Sequence, residues 1–464
     1  MRRMKGAAGL LTALLLAFQL SAQTFALANE DNGIKVVPVN FTHNGYSYEI
    51  EGVAKSTDGD YQIKPPARLA ARKLPSTYDP RSSGEITTVK DQASTGACWA
   101  FSALACAEQD LIKKGLENPS AEFSVPALVL SSNSGTATGK DDFSSGGNWL
   151  FAASALANGQ GLCYEDYEPF LESGTENMIV SENKKSVSEY RLNYVMELSS
   201  TTQVKRKIME LGAVSASYFA GNGYMNHNNT AYYDPDASKN TIINHSVTVV
   251  GWDDNYSKDN FRYKPANNGA WLVKGSWGAD QDNDGFYWVS YDEAEFGQFC
   301  CYDFEESCDN TYHYSKMTGY VVNASNDGSV YGANVFTGKA DEKLDKAGFM
   351  YVGKTGSADY TLSVYTNVSD SDPIGVLETQ ISGSVSANGF YTVDFPEDIL
   401  LEEGEKYSIS VKFSGDSGRG YLLAESDRTS KAQSGQSYIS LNGKYWSDVG
   451  ADKTDRKSFY LCLH

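Results

Sequence analysis

The chain has 464 residues, with 59 acidic against 39 basic residues and a formal net charge of −20. That length holds two to three domains and a large core, and the acidic balance argues against a nucleic-acid partner, because phosphate binding needs clustered Lys and Arg. Aromatic residues make up 12% of the chain, with 30 Tyr alongside 42 Gly, which predicts β-rich, turn-rich regions.

Residues 1–28 read as a signal peptide. Arg2, Arg3 and Lys5 form its basic start, Leu11 to Leu20 its apolar run, and Ala26-Leu27-Ala28 a small-residue cleavage site. The expectation is a mature chain from Asn29 that is secreted, extracellular or held at the cell surface. The apolar run is short for a span, and no second one follows, so no membrane span is expected after cleavage. Residues 29–73 are polar and mixed, with alternating runs at Ile34 to Asn40 and Tyr46 to Gly52. A short helix is predicted from Pro65-Pro66.

The segment Asp91-Gln92-Ala93-Ser94-Thr95-Gly96-Ala97-Cys98-Trp99-Ala100-Phe101 passes from a polar loop into a helical pattern. Phe101, Leu104, Ala105, Leu111 and Ile112 form an apolar stripe, and Lys113-Lys114-Gly115 is its stop signal. Cys98 therefore belongs near a helix N-terminus, where the dipole favours a thiolate. Further helices are predicted after Ser124, which serves as an N-cap, from about Trp149 to Asn158, and from Thr202 to Leu211. Strands are predicted at Ala213 to Tyr218, Ser246 to Trp252, Gly269 to Lys274 and Gly285 to Tyr291. From about Asn310, short runs rich in Val, Ile, Tyr and Ser are separated by Gly, Asp and Asn turns. These are Phe349 to Val352, Tyr360 to Tyr365, Gly389 to Phe395, Lys406 to Phe413 and Gln436 to Leu441, and they predict an antiparallel β-sandwich.

The seven Cys form an odd number. With Cys98 as a free thiol, the other six allow about 15 connectivities, which the sequence does not choose among. Cys300, Cys301 and Cys308 match no common zinc spacing, and no metal is expected there. Asp280-Gln281-Asp282-Asn283-Asp284-Gly285 imitates half a calcium loop, but Tyr291 stands where the bidentate Glu belongs, so a solvated acidic turn is the better reading.

The Cys98 segment resembles the nucleophile segment of the papain-like cysteine peptidases. His245, in Asn244-His245-Ser246-Val247-Thr248-Val249-Val250-Gly251-Trp252, resembles the family's His leading into a strand that ends in Gly-Trp. The two residues lie 147 positions apart, within the roughly 130–150 typical of this arrangement. The resemblance implies an α+β two-lobed peptidase at 74–309, with a helical lobe and a β-barrel lobe, followed by an all-β sandwich at 310–464. Residues 29–73 become a short pro-segment or an N-terminal extension. The resemblance also implies Cys98 as nucleophile, His245 as its acid–base partner and Gln92 as an oxyanion donor. Gly146 and Gly147 would line the substrate strand, and Trp277 would shield the His. No cofactor or metal is implied, and the substrate would be a protein or peptide.

Gly275, in Gly275-Ser276-Trp277-Gly278, stands where the family has the Asn that orients the His. Either water or a neighbour such as Asn268 replaces it and activity is weakened or altered, or the domain binds peptides without cutting them. Thr95 and Ser144 replace two Cys that pair in the family. The C-terminal part resembles the lectin-like domain of bacterial papain-like proteins at Ala333 to Thr337, Val364 to Val368 and Ser437 to Ser440. It implies binding to glycan or cell-surface polymer, or, in the non-cutting reading, an adhesin.

Overall fold

The computed structural model describes residues 35–43, 46–54 and most of 73–463; the longest stretches outside it are 133–142, 171–188, 425–432 and 452–458. The signal peptide, the helix predicted from Pro65, Ser144 and Cys308 fall outside the described residues. Strands β1 (Lys35–His43) and β2 (Tyr46–Ala54) form an antiparallel hairpin where the alternating runs predicted extended chain.

The predicted helices form close to their expected limits. Helix α1 (Cys98–Lys113) ends before Gly115, whose φ of 73° reverses the chain. Helix α2 (Val125–Ser132) is capped by the Ser124 hydroxyl, which accepts the Ala127 N–H at 3.1 Å. In α3 (Trp149–Ala157) the Asn148 side chain accepts the N–H groups of Leu150 and Phe151. Helix α4 (Thr201–Leu211) stops at Gly212, with φ 86°. Each cap supplies a partner to backbone groups that a helix end leaves unmet.

The strands of this part are β3 (Thr77–Tyr78), β4 (Tyr190–Leu198), β5 (Val214–Tyr218), β6 (Ala231–Tyr232), β7 (Ile242–Ile243), β8 (His245–Asp253), β9 (Ala270–Lys274), β10 (Phe286–Ser290) and β11 (Gly297–Glu306). They run β4-β11-β5-β8-β9-β10-β6 in one sheet, with β3 beside β8 and β7 beside β2. Helix α1 covers one face, where Ala100, Leu104 and Leu111 share a core with Leu272, Cys300 and Tyr302. Helix α4 covers the other, where Val204 and Ile208 meet Val214, Val249 and Cys301.

The remaining strands are β12 (Tyr320–Asn323), β13 (Ser329–Thr337), β14 (Glu342–Tyr351), β15 (Ala358–Thr366), β16 (Val376–Val385), β17 (Gly389–Leu401), β18 (Lys406–Ser414), β19 (Tyr421–Ala424), β20 (Ser437–Ser440), β21 (Ser447–Asp448) and β22 (Leu461–Leu463). A six-stranded sheet, β16-β15-β18-β13-β20-β21, packs against β14, β17 and β22. Leu362, Ile409 and Phe413 fill the space against Phe349, Ile399 and Leu461. The predicted sandwich is present, and its second layer is shared. Strand β17 pairs with β4 at Gly389↔Met196, Phe390↔Val195 and Tyr391↔Tyr194, so one 11-stranded sheet runs through both parts. Gly389 is required at this seam, because a Cβ there would collide with the Val195 carbonyl oxygen.

Candidate active site

Helix α1 is fastened along β8. The Ser102 hydroxyl donates to the Val247 carbonyl at 2.7 Å, and the Thr248 hydroxyl to the Ser102 carbonyl at 3.4 Å. This alignment brings Cys98, the first residue of α1, to the start of β8. There Ser246 lies near enough to the Cys98 sulfur to favour its thiolate form, and the thiol itself points to the Gly96 carbonyl at 4.0 Å. Cys98 is buried, and burial pushes its thiol up to about 11. The N–H groups of Ser246, Trp99 and Cys98 itself pull it down by less. The helix terminus expected to favour a thiolate is present, but its dipole is worth about 0.3–1 kcal/mol. Desolvation of the sulfur outweighs it.

His245 opens β8 and lies opposite Tyr218 of β5. Its imidazole stacks on the Trp277 indole, with ring centroids 4.4 Å apart and planes within 6°. Tyr218 meets it edge-on at 5.9 Å and 62°. Gln92 is buried and oriented by the Gly-Ser-Trp-Gly turn. Its N–H donates to the Ser276 carbonyl at 2.7 Å, and the Ser276 hydroxyl donates to its side-chain oxygen at 2.5 Å. Its Nε2 donates to the Thr95 carbonyl at 2.8 Å. Asp91 bridges Trp277, and the Gly278 N–H donates to the Lys90 carbonyl at 3.1 Å. The segments carrying Gln92 and Trp277 are thereby stitched together.

Gly146 and Gly147 lead into α3 in non-helical chain. A Cβ on Gly147 would stand 2.5 Å from the indole of Trp99, the neighbour of Cys98. Only glycine lets that backbone lie against Trp99. Thr95 donates to the Gln92 carbonyl at 2.7 Å, a local bond in place of the family's disulfide. Cys98, Cys106, Cys300 and Cys301 are buried free thiols.

The expectation that Asn268 replaces the orienting Asn is overturned. Asn268 is exposed and accepts the Lys258 N–H at 3.2 Å. It precedes β9, whose far end carries Gly275, and a five-residue strand spans roughly 17 Å. Instead, the Tyr287 ring stands beside Gly275, its Cε1 3.4 Å from where a Cβ would be. Its hydroxyl bonds that of Tyr218 at 2.9 Å. Sequence reading missed Ser246, Tyr218 and Tyr287 as site residues. The available signal was a volume exchange, a large Tyr two residues after Gly285 set against a missing side chain at Gly275.

Sequence reading also missed a buried charge cluster behind the site. Glu108 of α1 accepts the Thr87 hydroxyl at 2.6 Å and lies 3.8 Å from the Lys274 ammonium, and Lys274 in turn donates to Thr87 at 2.6 Å. Lys90 approaches Glu108 at 3.5 Å. Around it, Ser102, Ser246, Thr248 and Ser276 help line a cavity of about 20 Å³, room for about one water. Among the described residues no group of three or more His, Cys, Asp or Glu is placed to hold a metal ion. No helix there is long and apolar enough to cross a membrane. The residues imitating half a calcium loop include a 3₁₀ turn, Asp282–Gly285, leading into β10.

Residues 74–326 match the papain family of cysteine proteases, and residues 311–463 match the lectin-like domain. The chain belongs to the papain family. Its fold is a papain-like peptidase followed by a lectin-like all-β domain. Among curated relatives, mouse cathepsin K is 24% identical over 216 residues, covering 46% of this chain and 59% of that protein. Cat procathepsin L is 28% identical over 224 residues, covering 47% and 62%. The chain thus spans about three fifths of the length of these relatives.

A solved structure of a clostridial cysteine protease, Cwp84, after propeptide cleavage is 28% identical with a TM-score of 0.72. It covers 83% of this chain and 98% of that one. A second structure, of the cysteine protease and lectin-like domains of Cwp84, a surface layer associated protein of Clostridium difficile, is 26% identical with a TM-score of 0.72 and covers 87% and 90%.

Proposed function

We propose that the chain is a cysteine endopeptidase acting on proteins at a bacterial cell surface. The observation that carries this reading is the meeting of the Cys98 sulfur with Ser246, the residue after His245, beside a Gln92 whose amide is fixed by Ser276. Cys98 attacks the substrate carbonyl carbon while His245 takes the thiol proton. The negative oxygen is met by the Cys98 N–H and by the second N–H of Gln92 Nε2. His245 then gives the proton to the leaving amine, and water hydrolyses the Cys98 thioester. Because burial disfavours a lone thiolate here, Cys98 ionises together with protonation of His245, whose positive charge offsets the desolvation. The backbone at Gly146 and Gly147 pairs with the substrate strand, and Trp277 screens His245 from water. The lectin-like domain holds the enzyme near glycan or surface polymer, as befits the likeness to a surface layer associated protein. Residues 1–28 serve its export.

Gly275 supports a second reading, in which a peptidase homologue without cutting activity acts as a glycan-binding adhesin. A papain-type epoxide inhibitor separates the two. Peptide mapping after treatment of protein freed of residues before Leu74 is expected to find the adduct on Cys98 alone, and none in Cys98→Ala. Absence of the adduct from folded protein would reject the peptidase and leave the adhesin.

A further inference from the structure

We infer that Tyr218 and Tyr287 together position the His245 imidazole, in place of the side chain that Gly275 lacks. The inference rests on the peptidase reading of Cys98 and His245.

Three strands converge on this arrangement. His245 opens β8, and Tyr218 ends β5 directly across from it in register. Tyr287 comes from β10, which pairs with β9, the strand leading to Gly275. The Tyr287 ring is in van der Waals contact with the position a Gly275 side chain would start from, and the Gly285 carbonyl oxygen stands 3.1 Å from the same point. An asparagine at 275 would have to share that space with the ring. The loss of one side chain is thus matched by a larger one from the neighbouring strand.

The two phenols form a buried hydroxyl pair at 2.9 Å. Burial holds both above the usual tyrosine range, so at neutral pH each keeps its proton and the bond between them persists. Tyr218 is wedged by Tyr232 at 5.0 Å and Phe296 at 5.5 Å, and the Tyr287 hydroxyl fixes its remaining freedom. Trp277 sets the plane of the imidazole and the Tyr218 edge limits its sliding within that plane. The charges felt at the pair come from Cys98 on the Tyr287 side and Glu293 on the Tyr218 side. Neither tyrosine is given a bond-making role; both act through His245.

Tyr218→Phe and Tyr287→Phe each keep the ring and remove one hydroxyl. The measurements are kcat and KM on a peptide substrate, the rate of epoxide labelling of Cys98, and the pH profile of both. In each variant kcat and labelling are expected to fall about 10- to 100-fold with KM held, the scale of a small misplacement of a reacting group. The alkaline limb of the profile should move, while the melting temperature changes little. Gly275→Asn alone should gain nothing, and Gly275→Asn combined with Tyr287→Ala should recover activity lost in Tyr287→Ala. Wild-type rates and an unmoved alkaline limb in both Phe variants would overturn the inference. If a Phe variant does not fold, the Asn rescue decides: a gain supports the inference and no gain rejects it. A wild-type protein that is not labelled at Cys98 would reject the peptidase reading and this inference with it. Normal labelling of wild type and both Phe variants would reject the tyrosines alone.

Discussion

Glu293 carries a carboxyl that burial pushes up to about 7, with Asp234 and Glu295 adding repulsion and the Asp234 N–H bond opposing it. A folded-state value above the unfolded one means that the native chain holds this proton more tightly. The associated stability is full below the ordinary carboxylate value and is lost as pH rises toward about 7. Glu293→Gln keeps an acceptor for the Asp234 N–H and cannot ionise. The drop in melting temperature between about pH 4 and about pH 8 should therefore be smaller in the variant; an equal drop would show that Glu293 does not contribute to it. At this scale the sequence was legible where chemistry is local. Gln92, Cys98 and Trp99 lie in one short segment, and Ser276 and Trp277 in another. Tyr218 and Tyr287 reach the site only through strand register, which no short window contains, whereas Ser246 stood beside His245 but carried no chemical signal of its own. Asn268 misled because nearness in sequence to Gly275 is undone by the length of an extended strand.

Between elements, α1 and β9 are tied by the Glu108–Lys274 pair. Lys274 is fully enclosed, and burial lowers its tendency to hold a charge. Removing the carboxylate strands that ammonium, so Glu108→Ala should lose about 3–5 kcal/mol in urea unfolding. A loss near zero would show that the pair contributes nothing beyond packing. The helices were readable from caps and stops, since Ser124, Asn148, Gly115 and Gly212 act within a turn of the chain. Strand β11 was not read, because it is buried on both faces. Cys300, Tyr302 and Phe304 face α1 while Phe299 and Cys301 face α4, which erases the two-residue alternation that marks a half-buried strand. Strand β16 was missed for the opposite reason. Among the described residues it is an edge strand, largely exposed and paired only with β15, so it carries little apolar signal.

Across the molecule, the papain-like and lectin-like parts share side chains as well as a sheet. Met350, Val352, Phe390, Leu423 and Cys462 sit in the same core as Trp99, Leu104 and Ala153. The Asn388 amide donates to Glu197 at 2.9 Å across the seam. Full burial of a large apolar side chain is worth about 1.5–3 kcal/mol. A chain cut after Asp309 loses four such groups and the smaller Cys462 from the peptidase core. It is expected to be insoluble or to melt far below the full chain, and a cut chain that melts with the full protein would refute the shared core. The sandwich itself was legible from short strands and turns, but the seam was not, because residues 199–388, which include the rest of the peptidase part, separate β4 from β17.

The placement of Cys462 in that core has a temporal consequence. Domains emerging from synthesis ordinarily close one after another from the N-terminus. Here the compartment around α1 lacks part of its filling until the residues near 462 have been made. The nascent chain thus carries Gln92, Cys98 and His245 well before the core beneath α1 can be packed completely, and the interval between the two is set by the order of the strands.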